Sequence, residues 1–151
     1  MSKSILNQSS SLEKQTKVIE VGNFYLIHDG SKTGHPGLII WRDEVKNLYL
    51  AIKFGTTSSK DNFKLQCALS NDITTSYCYK RLFLGKKKNF GSKQLTKLTI
   101  SNHDLSALIK KFDFLNPTYS QDIHRKDKRF FKWAIKNPLY QGQLSRHEAS
   151  V

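Results

Sequence analysis

Short apolar segments separated by turn residues occupy the middle of the chain and predict a small β-sheet. Several alternate apolar and polar side chains, which is typical of half-buried strands, and Asp29-Gly30 and Asn71-Asp72 are turn signals between them. The predicted strands, about five or six in number, fall within residues 18–29, 38–41, 48–54, 63–69, 77–84 and 95–100. The cationic segment GKKKNFG, before the last of these, predicts a turn. This pattern favours a small barrel or rolled sheet.

The hydrophobic periodicity changes after residue 100 and predicts two helices. Ser101 stands three positions before Asp104, which matches a capping box at a helix N-terminus. Apolar side chains then recur at helical spacing and give this helix a face to pack on the sheet: Leu105, Leu108, Ile109 and Phe112. Asn116-Pro117 prevents its continuation. A second helix is predicted around residues 122–136, where apolar side chains alternate with basic ones.

One domain with an extension at each end accounts for the length of 151 residues. Residues 1–17 are rich in Ser, Gln and Lys and predict a flexible N-terminal arm. Residues 18–114 hold the predicted barrel and its packed helix, and residues 115–151 form a basic, partly helical C-terminal extension. The expected fold class is therefore mainly β with α: a small SH3-like β-barrel, a helix packed on it, and the basic extension.

The charge balance indicates a polyanionic partner. The chain has 25 Lys and Arg residues against 12 Asp and Glu, a formal net charge of +13. No acidic residue lies between Asp72 and Asp104. We expect phosphate contacts with nucleic acid rather than a membrane, because the basic residues do not form one face opposite a broad apolar one. The aromatic residues among them can either stack on unpaired bases or belong to the core: Tyr77, Tyr79, Phe83 and Phe90.

Several function classes lack the residues that they require. No apolar stretch approaches the ~18 residues of a membrane span, and no signal-peptide run stands at the N-terminus, so we expect a cytoplasmic protein. Cys67 and Cys78 are too few to complete a zinc site and are predicted to be reduced thiols. Since no histidine pair has metal-ligand spacing and no nucleotide-binding glycine loop is present, we expect neither a metal nor a cofactor.

Two segments carry a resemblance to a known family. GHPGLII, residues 34–40, places a basic residue directly before Pro at the start of a hydrophobic strand. LYLAIKFGTTSSK, residues 48–60, ends the next strand in hydroxyls and a lysine. With the downstream order of strands and helix, the pattern over residues 18–114 resembles the PemK/MazF-like toxin family, small barrels that cut RNA. The ToxN-like branch, which is regulated by an RNA antitoxin, shares this barrel, and the sequence does not separate the two.

The resemblance implies a catalytic site at the ends of these two strands. In the family, an Arg before Pro and a Thr at the strand end hold the scissile phosphate while a 2′-OH attacks it. The matching positions here are His35, Thr56 and Thr57. A guanidinium grips phosphate at any physiological pH, whereas histidine suits acid–base work, so His35 indicates either altered chemistry or a lost site. The fixed positive charge is then expected from Lys32, Arg42, Lys53 or Lys60.

Two functions from different classes remain open. The first is a metal-independent endoribonuclease toxin that cleaves single-stranded RNA by 2′-OH attack, for which the resemblance implies an antitoxin, protein or RNA, and a homodimer. The second is a non-catalytic barrel that binds nucleic acid or protein as an accessory or inhibitor of a mobile element or phage, with residues 55–59 forming only a turn. The residues expected to contact RNA are Lys32, Arg42, Lys53, Ser58, Lys60, Lys80, Arg81, Lys86, Lys87 and Lys88.

Overall fold

A computed structural model describes residues 18–60, 62–70 and 77–137 of the chain. Within them the chain forms eight strands and two α-helices. The strands are β1 (Phe24–Ile27), β2 (His35–Asp43), β3 (Leu48–Gly55), β4 (Asn62–Lys64), β5 (Tyr77–Tyr79), β6 (Phe83–Gly85), β7 (Phe90–Gln94) and β8 (Thr118–Tyr119). The helices are α1 (Asn102–Ile109) and α2 (Arg125–Lys136), and a 3₁₀ turn, Lys87–Asn89, precedes β7.

The sheet is built around the antiparallel hairpin of β2 and β3. Gly37 lies opposite Lys53 at one end of this hairpin, and Asp43 lies opposite Leu48 at the other. Along the sheet the order is β4-β5-β3-β2-β1-β7, with β6 paired to β3 and β8 paired to β6. The β6–β8 pair is parallel, and the other pairs are antiparallel. A mostly antiparallel sheet with two helices, forming a small β-barrel-like fold, confirms the predicted fold class.

Both faces of the β2–β3 hairpin are buried, which accounts for its nearly continuous apolar sequence. On one face, Trp41 and Phe54 belong to a core that also includes residues of α1 and α2. On the other face, Ile39 and Tyr49 pack with residues of β1 and β7. Burial of apolar surface contributes about 25 cal/mol per Å². Residues at the end of this hairpin are therefore held in place by two strands that are buried on both faces.

The prediction of one strand over residues 77–84 was wrong, because this segment forms two strands. β5 pairs with Phe54 and Gly55 at the end of β3, whereas β6 pairs with Tyr49, Leu50 and Ala51 nearer its start. The chain bends between β5 and β6. An apolar and aromatic run reports burial but not the partner strand, so the pattern did not reveal the break.

Two other strand predictions were wrong in extent or position. Within residues 63–69, strand geometry ends at Lys64, and the buried Leu65 and Leu69 belong to an irregular segment. Residues 95–100 form no strand; their apolar side chains are half-buried and pack against the core without ladder pairing. The strand in this part of the chain is β7, which begins inside the segment predicted to be a turn.

The first predicted helix is confirmed, with the serine half of the predicted capping box in place. Ser101 precedes α1, and its hydroxyl accepts a hydrogen bond from the Asp104 amide at 3.1 Å. The buried Asp104 carboxylate accepts hydrogen bonds from the amides of Gln66 and Cys67, at 3.0 and 3.1 Å. One turn of α1 therefore also fixes the irregular segment that follows β4.

The C-terminal extension shares the core of the barrel as far as the structure describes it. The second predicted helix is confirmed as α2, which begins at Arg125 because His124 takes the N-cap position. The Phe131 ring of this helix is fully buried and lies edge-on against the indole of Trp41, with ring centroids 5.4 Å apart. The predicted N-terminal arm, residues 1–17, and the chain from residue 138 onward lie outside the described residues.

Candidate functional site

Hydrogen bonds to one carboxylate hold the loop between β1 and β2. Oδ1 of Asp29 accepts from the amide and the hydroxyl of Ser31, at 3.2 and 2.6 Å. The Ser31 hydroxyl accepts in turn from the Gly34 amide at 3.1 Å. Gly34 has φ +71°, and a Cβ there would lie 2.7 Å from the carbonyl oxygen of Ile27, so this turn requires glycine. The loop thus delivers the chain to His35 in a fixed conformation.

His35 is held at both ring nitrogens. Nδ1 lies 2.7 Å from Oδ2 of Asp29, and Nε2 lies 3.1 Å from the hydroxyl of Tyr79. An ionised carboxylate can only accept hydrogen bonds, so Nδ1 carries a hydrogen and donates a hydrogen bond to Asp29. In the neutral imidazole, Nε2 then accepts from the Tyr79 hydroxyl and is the basic position of the ring. The His35 side chain is 24% exposed, so a substrate can reach it.

Asp29 stays ionised although it is nearly buried. Its side chain is 8% exposed, and this burial raises the pKa of Asp29. Hydrogen bonds from Ser31, Lys53 and His35 outweigh the burial and hold the pKa well below its ordinary value of 3.8. The Lys53 ammonium lies 3.1 Å from Oδ2, the oxygen that also accepts from His35. One carboxylate oxygen thus positions an imidazole and an ammonium beside each other.

Tyr79 approaches His35 across the end of β3, where the chain has no side chain. Gly55 is the last residue of β3, and a Cβ there would lie 2.9 Å from the Tyr79 ring. The Lys53 ammonium lies 4.4 Å from the centre of the same ring, a cation–π contact. Asp29, His35, Lys53 and Tyr79 form one connected group, which we call the His35 cluster.

An open cavity of about 370 Å³ lies beside the His35 cluster. Lys53 and Tyr79 belong both to the cluster and to the cavity wall. The rest of the wall is formed by Asn62, Lys80, Arg81 and Thr118. Hydrogen bonds from the Arg81 guanidinium to the carbonyl oxygens of Asn116 and Pro117, at 3.1 and 3.0 Å, fix this cation in place. Since half of the described lining residues are cationic, the cavity favours an anionic group.

The structure places the two predicted catalytic threonines next to the cluster without bonding them to it. Thr56 and Thr57 follow β3 directly and are exposed, as are Ser58 and Lys60 in the same turn. The carbonyl of Thr57 accepts a hydrogen bond from Asn62, a residue of the cavity wall, at 2.7 Å. Their role in catalysis stays a prediction.

The basic residues predicted to contact RNA lie in separate places. Lys53, Lys80 and Arg81 line the cavity, and Lys32 is exposed in the loop before His35. Arg42 lies near the other end of β2, seven residues from His35 and thus roughly 20 Å away along the strand. Its guanidinium donates to the carbonyl oxygen of Ile19 at 2.8 Å.

Lys86, Lys87 and Lys88 lie at the opposite end of β3 from the His35 cluster, because β6 runs back along β3 to Tyr49. They line a second cavity of about 630 Å³. Two of these lysines are ion-paired, Lys86 with Asp127 at 3.1 Å and Lys88 with Asp122 at 2.9 Å. The structure therefore does not bring this lysine run and the His35 cluster into one place.

The aromatic residues of this region divide between the core and the site. Phe83 and Phe90 are 4% and 1% exposed and belong to the core, so they cannot stack on a base. Tyr77 and Tyr79 are half-buried, and Tyr79 is the residue that bonds His35.

Two residues of the cluster, Asp29 and Tyr79, were missing from the predicted site. Asp29 was interpreted as a turn signal, although a hairpin with Ile27 opposite His35 necessarily brings the loop residue Asp29 close to His35. Tyr79 lies 44 positions from His35. No local pattern indicates that contact, because it depends on how β5 pairs with the end of β3.

Two other features are absent from residues 18–60, 62–70 and 77–137. No group of three or more His, Cys, Asp or Glu side chains is arranged to hold a metal ion. No helix in these ranges is long and apolar enough to cross a membrane.

Comparisons with known proteins give one distant structural likeness. No family model and no curated protein matches the chain. A solved structure described as an endoribonuclease in complex with its cognate antitoxin, from mycobacterial species, is similar over 61% of this chain and 88% of the other. The two are 16% identical, with a TM-score of 0.43. A likeness at these values does not establish a family.

Proposed function

We propose that this protein is a metal-independent endoribonuclease that cleaves single-stranded RNA. The observation that carries the proposal is the hydrogen-bonded chain from Asp29 through His35 to Tyr79, with the Lys53 ammonium beside it at the edge of a cationic cavity. This arrangement holds a base, an acid and a fixed positive charge in reach of one anionic group. These are the parts that attack of a 2′-OH on its neighbouring phosphate requires.

In the proposed reaction, the 2′-OH replaces the Tyr79 hydroxyl as the donor to Nε2 of His35. Nε2 takes the 2′-OH proton as the 2′-oxygen bonds to phosphorus, and Asp29 stabilises the imidazolium that forms. The bond from phosphorus to the 5′-oxygen breaks, and that oxygen takes a proton from Tyr79. The imidazolium then returns its proton to Tyr79, so the cluster ends as it began. The products are a 2′,3′-cyclic phosphate and a 5′-hydroxyl.

Lys53 takes the electrostatic role that an arginine before proline has in the resembled family. Lys53 is part of the cavity wall, and its ammonium lies against the Tyr79 ring. In the proposed reaction this charge stabilises both the phosphate and a transient phenolate. His35 is then free for proton transfer rather than for holding charge. Arg81 supplies a second fixed cation on the same wall.

The proposal extends to a neutralising partner. The sequence resemblance to the PemK/MazF-like toxins supports an antitoxin, either a protein or an RNA, and a homodimeric toxin. A net charge of +13 attracts an acidic peptide and an RNA alike.

The first test is cleavage of unstructured RNA by the purified protein in EDTA, with wild type beside His35→Ala and Tyr79→Phe. Removal of an acid–base group typically costs about 10²- to 10⁴-fold in rate, and we expect losses in this range for both variants. His103→Ala removes an exposed histidine at the start of α1 and should leave the rate unchanged.

A Thr56→Ala/Thr57→Ala variant tests the phosphate-holding role that the resemblance implies. A loss of about tenfold in rate, the contribution of about one hydrogen bond, supports that role.

Mass spectrometry of the products should find a 2′,3′-cyclic phosphate, and RNA with a 2′-deoxy nucleotide at the cleavage position should resist. Absence of cleavage by the folded wild type, together with RNA binding that weakens steeply with salt, would instead establish a non-catalytic binding barrel.

A further inference from the structure

One face of α2 is a row of basic side chains that the proposed cleavage does not use. Arg125, Arg129, Lys132 and Lys136 are exposed and recur at i, i+4, i+7 and i+11. At 3.6 residues per turn, they fall within about 60° of one another around the helix axis and extend for roughly 16 Å along it. We call these four residues the α2 stripe.

The charge of the α2 stripe is not neutralised within the described part of the chain. Asp127, the acidic residue of α2, lies away from the stripe on the helix surface. It pairs with Lys86 at 3.1 Å and accepts from the His124 amide at 3.0 Å. Asp122, just before the helix, pairs with Lys88. The nearby carboxylates therefore neutralise the charge of lysines after β6, and the positive charge of the stripe can attract an anionic partner.

The surroundings of the stripe favour RNA over a membrane. The apolar face of α2, with Phe131, Ala134 and Ile135, is buried in the core and cannot enter a lipid layer. Trp133 lies beside the stripe and is 51% exposed, and its ring also contacts the ring of Phe130, with centroids 5.7 Å apart. Guanidinium groups bind phosphate bidentately, and an exposed indole offers a face on which a base can stack. An acidic peptide would use the charge of the stripe but not this aromatic face.

We propose that the α2 stripe and Trp133 form a binding surface for single-stranded RNA outside the catalytic cavity. α2 packs through Phe131 on Trp41, which lies six residues along β2 from His35. At about 3.3 Å per strand residue, Trp41 lies roughly 20 Å from His35, and the stripe lies farther out, on the side of α2 that faces away from the core. Even at about 3.4 Å per nucleotide, the spacing of one strand in duplex DNA, an RNA of about 20 nucleotides is long enough to reach both. The catalytic consequence rests on the proposed function: the enzyme recruits long RNA through α2 and cleaves it at the cavity.

Binding of a non-cleavable RNA tests the surface independently of catalysis. The probe is a fluorescein-labelled, 2′-O-methylated oligonucleotide of about 20 nucleotides, long enough to span both sites. We compare the full-length wild type with Arg125→Gln/Arg129→Gln/Lys132→Gln. The matched control is Lys93→Gln/Lys97→Gln/Lys110→Gln, which removes the same charge from exposed positions elsewhere. Circular dichroism and thermal unfolding verify that both variants are folded.

We expect the α2 variant to lose about tenfold in affinity and the control much less. Since each contact to single-stranded RNA contributes about 0.7 to the salt slope, loss of three contacts should lower the slope of log K against log salt by about two. Equal losses in the two variants would overturn the proposal. So would a result in which the α2 variant loses binding to poly-glutamate but not to RNA, since the surface would then be a protein docking site.

Cleavage kinetics then separate this inference from the proposed function. The α2 variant should raise KM about tenfold for a 20-nucleotide RNA, without changing kcat, and should not change either value for a tetranucleotide. Should the wild type cleave neither RNA yet bind the long probe through α2, the proposed function fails and the binding surface stands.

Discussion

Asp29 accepts hydrogen bonds from three side chains and one backbone amide, so the loop before β2 and the position of His35 depend on the same carboxylate. In the unfolded chain these hydrogen bonds are absent. The pKa of Asp29 is therefore lower in the folded protein than its ordinary 3.8. A depressed carboxylate pKa stabilises the fold at pH values above the unfolded pKa, and this stabilisation is lost as pH falls through the folded pKa.

For Asp29→Asn, we expect a lower free energy of unfolding than wild type at about pH 6 and a clearly smaller difference at about pH 2.5. The variant has no carboxylate to protonate at this position, so the difference reports the Asp29 carboxylate together with its bonds to His35 and Lys53. Urea unfolding at both pH values measures the difference. Glu20→Gln, which changes an exposed carboxylate, should shift the curve little at either pH. A difference for Asp29→Asn that is independent of pH would contradict the pKa assignment.

At the scale of elements, helix capping depends on residues a few positions apart, whereas strand pairing depends on residues far apart in the sequence. α1 begins where its capping residue predicts, because the Ser101 hydroxyl needs only the amide of Asp104, three residues away. β5 and β6 divide a run that looks like one strand, because β3 pairs with each at a different place. Local chemistry thus sets the ends of helices, whereas partner strands set the ends of these short strands.

Ser101→Ala should lower the free energy of unfolding by about 1 kcal/mol, within the range of about 0.5–2 kcal/mol for N-cap removal. The physical reason is that the Asp104 amide loses its acceptor at the start of α1. Urea denaturation measures the change. The same substitution inside the helix, Ser106→Ala, should be neutral or slightly stabilising, since alanine is the better helix former. Equal effects of the two substitutions would show that the cap contributes nothing.

At the scale of the whole molecule, the described part of the C-terminal extension belongs to the hydrophobic core and does not only lie on its surface. β8 pairs with β6, and its Thr118 contributes to the wall of the cavity beside the His35 cluster. α2 covers Trp41 through Phe131. The extension therefore supports the site while it displays the α2 stripe on its outer surface.

Phe131→Ala should destabilise the protein by about 3–5 kcal/mol, the usual cost of removing a fully buried aromatic ring. Because the ring contacts β2, we expect tryptophan fluorescence and far-ultraviolet circular dichroism to report one shared transition in urea, shifted to lower concentration. Phe130→Ala removes a half-buried neighbour and should cost less. If Phe131→Ala left the midpoint unchanged, α2 would be an independent appendage.

The sequence by itself determined the features that depend on neighbours along the chain. The apolar runs of β2 and β3 predicted the central hairpin, and the capping residues and apolar spacing predicted α1. His35 could be selected because it stands directly before Pro36 at the start of a hydrophobic strand. The excess of basic residues predicts a polyanionic partner, and this stays a prediction. Burial, capping and net charge are encoded locally or by composition, so they can be derived without knowing the partner of any strand.

Only the tertiary structure decided what each of these residues contacts. Tyr79 bonds His35 from 44 positions away, and Lys53 shares a carboxylate with His35 across the hairpin. The lysines after β6 lie at the far end of β3 because strand register carries them there. Register between distant segments depends on the packing of the whole core, and a shift of one residue would turn each side chain to the other face of the sheet. The composition of the site therefore follows from pairing that no local pattern specifies.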